Sequence, residues 1–396
     1  MTTQKGVWNI QQVRDKQLQS LWDYDTSVYS LYVWGANDKG QLGLNEATGT
    51  AKNSPVQVPG SWSKIAGSHP QSKHLLAIKS DGTLWSWGEN EKGQLGLGNK
   101  TYYSSPVQIP GTTWDTVQQG HRWSLATKTD GTLWGWGQNS SGMLAQNNKT
   151  EYDSPVQIPG TTWSTGTNKI ATATGQTYAI KTDGTLWAWG NNSTGALAQN
   201  NPGPSSRSSP VQIPGSWSYV STAGHNNNQA SAIRSDGTFW SWGNGSQGVY
   251  GTNSPSNVDY SSPVQLGSDT TWNGFGSGNK TVFATKTDGT FWSWGYGTSG
   301  QLASNDRNTR SSPLQIPGTT FSTGVSGAYM GFTIASKTDG TLWSWGSSGD
   351  KGGLGAGLSP TAKRSSPTQI GTETDWGYGA GSVSATYWSA AGLRKL

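Results

Sequence analysis

Cysteine is absent from this chain of 396 residues. Its absence excludes disulfides, thiol catalysis and every thiolate metal site. Charged residues are also scarce, at 12 % of the chain against about 25 % in ordinary globular proteins. No run of about 18 apolar residues occurs, so we expect no membrane insertion. The start of the chain lacks the apolar core of a signal peptide, so we expect none.

Positive charge is present but thinly spread. The formal net charge is +5, and the longest basic runs are the pairs Lys363-Arg364 and Arg394-Lys395. A dedicated nucleic-acid-binding protein clusters its positive charge on one face. We therefore predict no specific nucleic-acid partner.

Glycine and aromatic residues are abundant. The chain has 56 Gly, and 11 % of its residues are aromatic, including 23 Trp. Disordered chains are poor in aromatics and rich in charge, which is the reverse of this composition. The sequence therefore predicts a folded, turn-rich β protein.

Two short motifs divide the chain into seven copies of about 52 residues. A Trp-Gly step recurs at intervals of 49 to 53 residues, at Trp34, Trp87, Trp136, Trp189, Trp242, Trp294 and Trp345. A Ser-Pro-x-Gln marker follows in every copy, with its proline at Pro55, Pro106, Pro155, Pro210, Pro263, Pro313 and Pro367. A fixed period of this length is typical of propellers and other repeat folds.

Each copy can be divided into four short strands. In the second copy, residues 74–79 form an apolar run and residues 83–87 alternate with period two. Asp81-Gly82 lies between them, and Asp-Gly is a strong hairpin signal because it tolerates positive φ. Residues 106–109 and 62–66 supply the other two strands. Four strands repeated seven times predict an all-β, seven-bladed β-propeller.

The two ends of the chain complete the count of blades. Only six copies contain the Asp-Gly hairpin. Residues 382–388 are similar to its first strand, and residues 31–35 are similar to its second. We therefore expect one blade to be built from both termini, closing a propeller domain of residues 27–396. Ring closure also removes exposed sheet edges.

The loop after the Trp-Gly step carries a resemblance to a known family. Residues 35–43 read Gly-Ala-Asn-Asp-Lys-Gly-Gln-Leu-Gly, and residues 88–96 read Gly-Glu-Asn-Glu-Lys-Gly-Gln-Leu-Gly. Both resemble the repeat of the regulator of chromosome condensation family, and the resemblance covers about residues 27–392. It implies a seven-bladed propeller with one blade shared between the termini. Copies three to five depart from the pattern at residues 143–145, 196–198 and 249–251, which weakens any transfer of function.

The founding member of that family is an exchange factor for the small GTPase Ran and also binds nucleosomes. This chain has no counterpart of its basic N-terminal tail. No insertion in the even spacing of the copies corresponds to its GTPase-contacting wedge. The resemblance therefore implies the fold more directly than it implies nucleotide exchange.

Catalytic signals are weak. The four histidines do not have metal-ligand spacing. Asp130 in Thr-Asp-Gly-Thr is similar to the Asp-box of sialidases, but the aspartate is accounted for as a turn residue. Glycoside hydrolysis needs two paired carboxylates, and the acids outside the turns are scattered. We predict a non-enzymatic protein with no cofactor and no metal, and keep a propeller glycosidase as a second alternative.

One position near the Ser-Pro marker is always a long polar side chain. Three residues before each proline stand Lys52, Tyr103, Tyr152, Arg207, Tyr260, Arg310 and Arg364. The structural interpretation is that their stems pack over a neighbouring blade with the polar tip in water. The functional interpretation is a ring of aromatic and cationic groups that binds a ligand on one face, since Tyr and Arg are enriched at binding hot spots.

The first 26 residues lie outside the repeat, and we predict a helical N-terminal arm there. The candidate docking residues of this arm are Trp8, Ile10, Val13, Leu18, Leu21 and Trp22. Residues 5–14 are similar to Gly-Val-Trp segments in tail and structural proteins of marine bacteriophages, which implies a virion component docked through the arm. The structural alternative is a helix that packs on the propeller and covers a blade.

These observations lead to a main hypothesis and an alternative. The main hypothesis is a virion appendage for host attachment or decoration, with other virion proteins and a host-surface glycan or receptor as partners. The alternative is an intracellular, cytoplasmic protein-interaction scaffold resembling exchange-factor propellers. Nineteen of the 23 tryptophans mark blade register, and those left over are Trp8, Trp22, Trp123 and Trp388.

Overall fold

The structure is a computed structural model that describes residues 28–67, 69–201, 206–222, 228–254, 258–318, 320–329, 331–348, 351–358, 362–379 and 381–396. These residues form strands and loops, with a single 3-10 turn at Ser246–Gly248. In chain order the strands are β1 (Tyr29–Gly35), β2 (Lys52–Ile65), β3 (His74–Lys79), β4 (Leu84–Gly88), β5 (Tyr103–Ile109), β6 (Trp114–Gln119), β7 (Trp123–Lys128), β8 (Leu133–Gly137), β9 (Tyr152–Ile158), β10 (Ile170–Thr172), β11 (Gln176–Ile180), β12 (Leu186–Gly190), β13 (Arg207–Ile213), β14 (Trp217–Thr222), β15 (Gln229–Arg234), β16 (Phe239–Gly243), β17 (Tyr260–Gln265), β18 (Trp272–Gly278), β19 (Thr281–Lys286), β20 (Phe291–Gly295), β21 (Arg310–Ile316), β22 (Phe321–Gly327), β23 (Phe332–Lys337), β24 (Leu342–Ser347), β25 (Lys363–Gln369), β26 (Val383–Ala385) and β27 (Ser389–Lys395).

The strands form seven antiparallel blades of four strands each, which confirms the predicted propeller. We name the strands of a blade a, b, c and d from the axis outward. Five blades are separate sheets, and the other two share one seven-stranded sheet because β2 is strand d of one blade and strand a of the next. Blade 1 consists of β26, β27, β1 and the first part of β2. Blades 2 to 7 follow in chain order.

Blade 1 joins the two ends of the chain, as expected, but with a different strand assignment. β27 pairs with β1 over its whole length, from Ser389 opposite Gly35 to Lys395 opposite Tyr29. β27 is therefore strand b, and β26 is strand a. The expectation that residues 382–388 form strand b is wrong. Both segments alternate small and apolar residues, so the pattern did not separate them; the bridge from Trp376 to Arg394, like that from Trp62 to Lys79, fixes the assignment.

The tryptophan of each Trp-Gly step joins one blade to the blade before it. All seven side chains are fully buried. Each Nε1–H donates to a backbone carbonyl in the c–d loop of the preceding blade, over 2.6 to 3.0 Å. The acceptors are Gly353, Gln41, Gln94, Met143, Ala196, Val249 and Gln301, in the order of Trp34 to Trp345. The repeat that is visible in the sequence is therefore an inter-blade hydrogen bond.

A backbone hydrogen bond repeats around the ring in the same way. In every c–d loop one N–H donates to the first part of strand d in the next blade, over 2.7 to 3.2 Å. The pairs are Asn45 to Ser104, Gly98 to Asp153, Asn147 to Ser208, Asn200 to Ser261, Asn253 to Ser311, Asn305 to Ser365 and Gly357 to Asn53. The last pair joins blade 7 to blade 1 and completes the circle.

The Asp-Gly hairpins form a second repeated network. In the second blade Asp81 Oδ1 accepts from Thr83 N and Oγ1 at 3.0 and 2.6 Å, and Trp85 Nε1 donates to Thr83 Oγ1 at 2.9 Å. Lys79 Nζ lies 3.7 Å from the centre of the Trp85 ring. The same set recurs at Asp130, Asp183, Asp236, Asp288 and Asp339. The hydrogen bond from the threonine hydroxyl lowers the pKa of each aspartate, so these groups are ionised turn residues and poor general acids.

Small side chains fill the axis of the ring. Gly278 lies so close to Gly327 that a Cβ at position 278 would be 2.8 Å from the neighbouring Cα. Thr222 Oγ1 donates to the Thr172 carbonyl of the preceding blade at 2.6 Å. The axial cavity, lined in part by Gln118 and Ser277, holds only about 50 Å³, which is room for water but not for a larger ligand.

Candidate functional site

The propeller has two faces with different connections. The a–b and c–d loops lie on one face, which we call the loop face. The Asp-Gly hairpins and the connections between strands d and a lie on the other, which we call the hairpin face. Binding residues concentrate on loops that a rigid scaffold positions, so a binding site is expected on the loop face.

The seven ring residues occupy one equivalent position on the loop face. Each is the first residue of strand d, or the second in the case of Arg364, and pairs with the glycine of its Trp-Gly step, as in Tyr103 opposite Gly88. The same pairing holds for Lys52, Tyr152, Arg207, Tyr260, Arg310 and Arg364. Strand d is the outermost strand, so the residues stand at the periphery of the loop face.

Several ring side chains bind back onto their own c–d loop. Tyr103 Oη accepts from Asn99 Nδ2 at 3.3 Å, and Tyr152 Oη accepts from Asn148 Nδ2 at 3.0 Å. Arg310 is paired with Asp306 four residues earlier, over 2.5 Å. These contacts differ from the expected packing over a neighbouring blade, because the loop that precedes strand d is nearer than the next blade.

The remaining ring residues vary in exposure. Lys52 Nζ is 2.8 Å from Glu46, and the Tyr260 ring packs on Tyr250 at 5.0 Å. Arg207 and Arg364 are exposed. A ligand-binding role for the ring stays a prediction. The candidate docking residues Trp8, Ile10, Val13, Leu18, Leu21 and Trp22 lie outside the described residues.

The loop face is not symmetric, and sequence analysis missed this. The residue before the conserved glycine of the c–d loop is lysine in three adjacent blades, at Lys351, Lys39 and Lys92. The equivalent residues in the other four blades are uncharged, namely Ser141, Thr194, Gln247 and Ser299. Aligning the copies on the loop glycine, instead of on the Ser-Pro marker, would have shown the difference.

A second loop-face position varies in the same way. The carbonyl just before strand b accepts a hydrogen bond from the residue after the Trp-Gly step in every blade. In blade order this position holds Trp388, Lys73, Arg122, Gly175, Asn228, Lys280 and Gly331. Three of its four long residues therefore fall in the adjacent blades 1, 2 and 3. We call Lys39, Lys73, Lys92, Arg122 and Lys351 the charged sector.

Aromatic rings lie at the axial edge of the charged sector. Tyr329 stacks on Tyr387 with 4.9 Å between ring centres, and Tyr387 contacts Trp388 at the same separation. Lys73 Nζ lies 4.7 Å from the centre of the Tyr387 ring. Burial raises the pKa of Tyr387, and the neighbouring Tyr329 adds to the effect. Trp388 is one of the tryptophans that the repeat left unexplained, which is the sequence signal that could have located this cluster.

The charged sector also contains a buried acid. Glu89 is 5 % exposed, and burial raises its pKa against the opposing effects of Arg122 and Lys73. Arg122 is 3.2 Å from Glu91, and Lys92 is 3.1 Å from Glu151 of the next blade. The sector thus presents aromatic rings and cations of which some are already paired, an arrangement suited to a protein surface of mixed charge.

His74 lies beneath the charged sector and is fully buried. Its Nδ1 is 3.0 Å from Ser72 Oγ and its Nε2 is 3.0 Å from Ser124 Oγ. Ser72 Oγ also donates to the His74 carbonyl at 3.0 Å, and Ser124 Oγ donates to the Gln94 carbonyl at 2.8 Å. Burial, with a smaller contribution from His121, lowers the pKa of His74 to about 3. The side chain is therefore neutral and structural.

Stability should fall as the pH drops below about 6.5. An unfolded histidine binds a proton near pH 6.5, whereas folded His74 does so only near pH 3. Between these pH values the unfolded state binds more protons than the folded state. Each unit by which the pH falls therefore lowers the free energy of unfolding by up to about 1.4 kcal/mol. We expect a loss of about 2 kcal/mol between pH 6.5 and pH 5, measured by urea unfolding.

His74→Gln should remove most of this slope, and His121→Gln, at a partly exposed position, should keep it. Equal slopes in the wild type and the His74→Gln variant would show that His74 is not the group responsible.

The described residues contain no group of three or more His, Asp or Glu side chains that could hold a metal ion. Among the same residues, no helix is long and apolar enough to cross a membrane.

The ring of seven four-stranded blades defines the class of protein: a closed β-propeller. The sequence profile of the RCC1-like domain matches residues 30–392. The chain belongs to the RCC1-like domain family. The resemblance to the regulator of chromosome condensation repeat is thus confirmed.

Individual relatives agree with this assignment. The Xenopus laevis RCC2 homolog is 40 % identical over 85 residues, covering 20 % of this chain and 15 % of that protein. Human E3 ubiquitin-protein ligase HERC2 is 25 % identical over 352 residues, covering 86 % of this chain and 6 % of that protein. The crystal structure of Prp20p from Saccharomyces cerevisiae has a TM-score of 0.76 at 17 % identity, covering 94 % of this chain and 93 % of that one. The matched stretch is a small part of the first two proteins.

The hypothesis of a bacteriophage virion component is wrong. It depended on residues 5–14 and a short resemblance outside the repeat. The relatives that match the repeat itself include proteins of Xenopus laevis, Homo sapiens and Arabidopsis thaliana, and they favour the interaction-scaffold alternative. The virion partners, the host-surface glycan and the virion location have no support from them.

Proposed function

We propose that this chain is a non-enzymatic, cytoplasmic or nuclear protein-interaction scaffold that binds a partner protein through the charged sector. The observation that supports this proposal best is the asymmetry of the loop face. Seven blades share their core residues, yet the lysines before the loop glycine occur only in blades 7, 1 and 2. A purely structural role would use the same residue in every blade.

The aromatic cluster beside these lysines supports the same surface. Tyr and Trp side chains offer large contact areas and are enriched at binding hot spots. Tyr387 and Trp388 are partly exposed and join the a–b loops of blades 7, 1 and 2 through Tyr329 and Lys73. Charged groups around such an anchor favour encounter with an oppositely charged partner.

The relatives suggest which partners to test. The yeast Prp20p structure is described together with its binding properties to Gsp1p and histones. A small GTPase of the Gsp1p type and a histone octamer are therefore suitable purified probes. Exchange activity on the GTPase is a separate question, because the even spacing of the copies leaves no insertion that corresponds to a GTPase-contacting wedge.

A triple substitution tests the charged sector. Lys39→Ser, Lys92→Ser and Lys351→Ser introduce the serine that blades 3 and 6 carry at this position, so the fold should be unaffected. We expect at least tenfold weaker binding of the probe that the wild type binds, measured by interferometry with immobilised full-length chain. The matched control Lys149→Ser, Arg307→Ser, Lys363→Ser removes the same charge from exposed positions outside the sector.

Equal losses in the two triple variants would mean that net charge, not the sector, attracts the partner. Binding that survives the sector triple but disappears with Tyr387→Ala would move the contact to the aromatic cluster. Failure of the wild-type chain to bind either probe would remove the support that the relatives give.

A further inference from the structure

A groove between blades 1 and 2 is large enough to hold side chains. Its volume is about 500 Å³, within the range of pockets that enclose a drug-sized ligand. The apolar part of its lining includes Leu44, Val56, Pro59, Trp62 and Trp85. Lys79 and Glu46 add a charge of each sign.

The described chain begins beside this groove. The Val28 carbonyl accepts from Leu396 N at 3.1 Å, which fixes residue 28 at the hairpin face of blade 1. The next residue, Tyr29, is registered opposite Trp62, and Trp62 lines the groove. Twenty-seven residues precede this point.

The residues before Val28 have the chemistry to fill the groove. Leu18, Leu21 and Trp22 are apolar, and Asp23 and Asp25 follow them. Trp22 is six positions from Val28, and six extended residues span about 20 Å. The two aspartates are opposite in sign to Lys79, whose Nζ lies over the Trp85 ring at the edge of the groove.

Two of the equivalent grooves are partly closed by glutamine. In blade 3, Gln146 stands at the position of Leu44 and donates from Nε2 to the Gln157 carbonyl at 2.9 Å. In blade 4, Gln199 donates to the Gln212 carbonyl at 3.0 Å. Leucine cannot make this bond, so the groove beside Leu44 keeps an apolar wall.

We propose that residues 18–25 of the same chain occupy the groove between blades 1 and 2, with Leu21 and Trp22 against its apolar wall and the aspartates toward Lys79. The proposal does not depend on the function proposed for the loop face, because no residue of the charged sector lines the groove. It gives the N-terminal arm an intramolecular docking site.

Because the chain has no cysteine, a pair of introduced cysteines can be crosslinked without interference from other thiols. In the full-length chain, Trp22→Cys is combined with Leu44→Cys, or with Leu97→Cys as the matched control. Leu97 is the equivalent leucine one blade further on and is equally half-buried. Under mild oxidation we expect a disulfide within one chain for the Leu44 pair, and at least fivefold less for the Leu97 pair, read by mass spectrometry after maleimide labelling.

A second variant without cysteines covers the case in which a thiol disturbs folding. In Leu21→Ala/Trp22→Ala, acylation of Lys79 should become at least threefold faster, while acylation of the equivalent Lys128 should not change. Equal crosslinking at both leucines, no crosslinking at either, or unchanged labelling of Lys79 would overturn the proposal. Disulfides formed only between chains would show that a second copy occupies the groove and would also overturn it.

Discussion

Removal of residues 389–396 should unfold the whole ring and not only blade 1. These residues contain β27, which pairs with β1 at seven consecutive positions. Arg394 on this strand is 2.6 Å from Asp375 and lies over the Tyr32 ring. Without β27, blade 1 loses its second strand and blades 7 and 2 each face an incomplete neighbour. We expect no cooperative thermal transition above 25 °C and loss of the near-ultraviolet tryptophan signal.

The reason for so large an effect is the circular arrangement of the inter-blade bonds. Trp34, on β1, donates to the Gly353 carbonyl of blade 7, and Gly357 N donates to the Asn53 carbonyl of blade 1. Both bonds need blade 1 in place. An open ring also exposes strand edges, which are sites of aggregation.

A circular permutant provides the control. Joining Leu396 to Val28 through a short glycine-containing turn, and opening the chain at the Asp236-Gly237 hairpin, keeps all seven blades but moves the termini. This permutant should melt within a few degrees of the parent. If the truncated chain instead kept its melting temperature, ring closure through β27 would not be what stabilises the propeller.

The parts of the fold that were predictable are those that repeat. The residue types at Trp87 and Pro106 recur at equivalent positions in every copy, and the number of copies predicted seven blades. The assignment of strand b in blade 1 failed because Ser382 to Ala385 and Ser389 to Ala391 have the same small-residue alternation. The pairing of β27 with β1 and the bridge from Arg394 to Trp376 distinguish them.

The candidate site was less predictable because it consists of departures from the repeat. Tyr329 and Tyr387 are 58 positions apart and meet only because blades 7 and 1 are neighbours in a closed ring. The lysines of the charged sector were visible in the sequence, but a comparison anchored on the Ser-Pro marker did not align them. The virion hypothesis depended on a short N-terminal resemblance. The relatives that match the repeat, which covers most of the chain, contradict that hypothesis.

Among single substitutions, Trp87→Ala should give one of the largest losses in the free energy of unfolding. Trp87 is fully buried, and its ring packs against that of Trp62 on β2, with 5.8 Å between ring centres. Deleting a buried aromatic side chain costs about 3 to 5 kcal/mol. The Gln41 carbonyl also loses its hydrogen bond from Nε1, 3.0 Å long, which adds about 1 to 3 kcal/mol for an unsatisfied buried acceptor.

Trp87→Phe separates the two contributions, because phenylalanine keeps much of the ring but donates no hydrogen bond. We expect it to lose about 2 kcal/mol, and Trp85→Phe, at a half-buried ring, to lose less. Urea unfolding with a tyrosine or circular dichroism probe measures all three. Total stability is about 5 to 15 kcal/mol for ordinary domains, so a double variant of Trp87 and Trp242, in blades 2 and 5, should not fold. The double variant could instead fold, with each single variant losing less than about 1 kcal/mol of stability. In that case the hydrogen bonds of the tryptophans between blades would be a result of blade packing and would not be what holds the ring together.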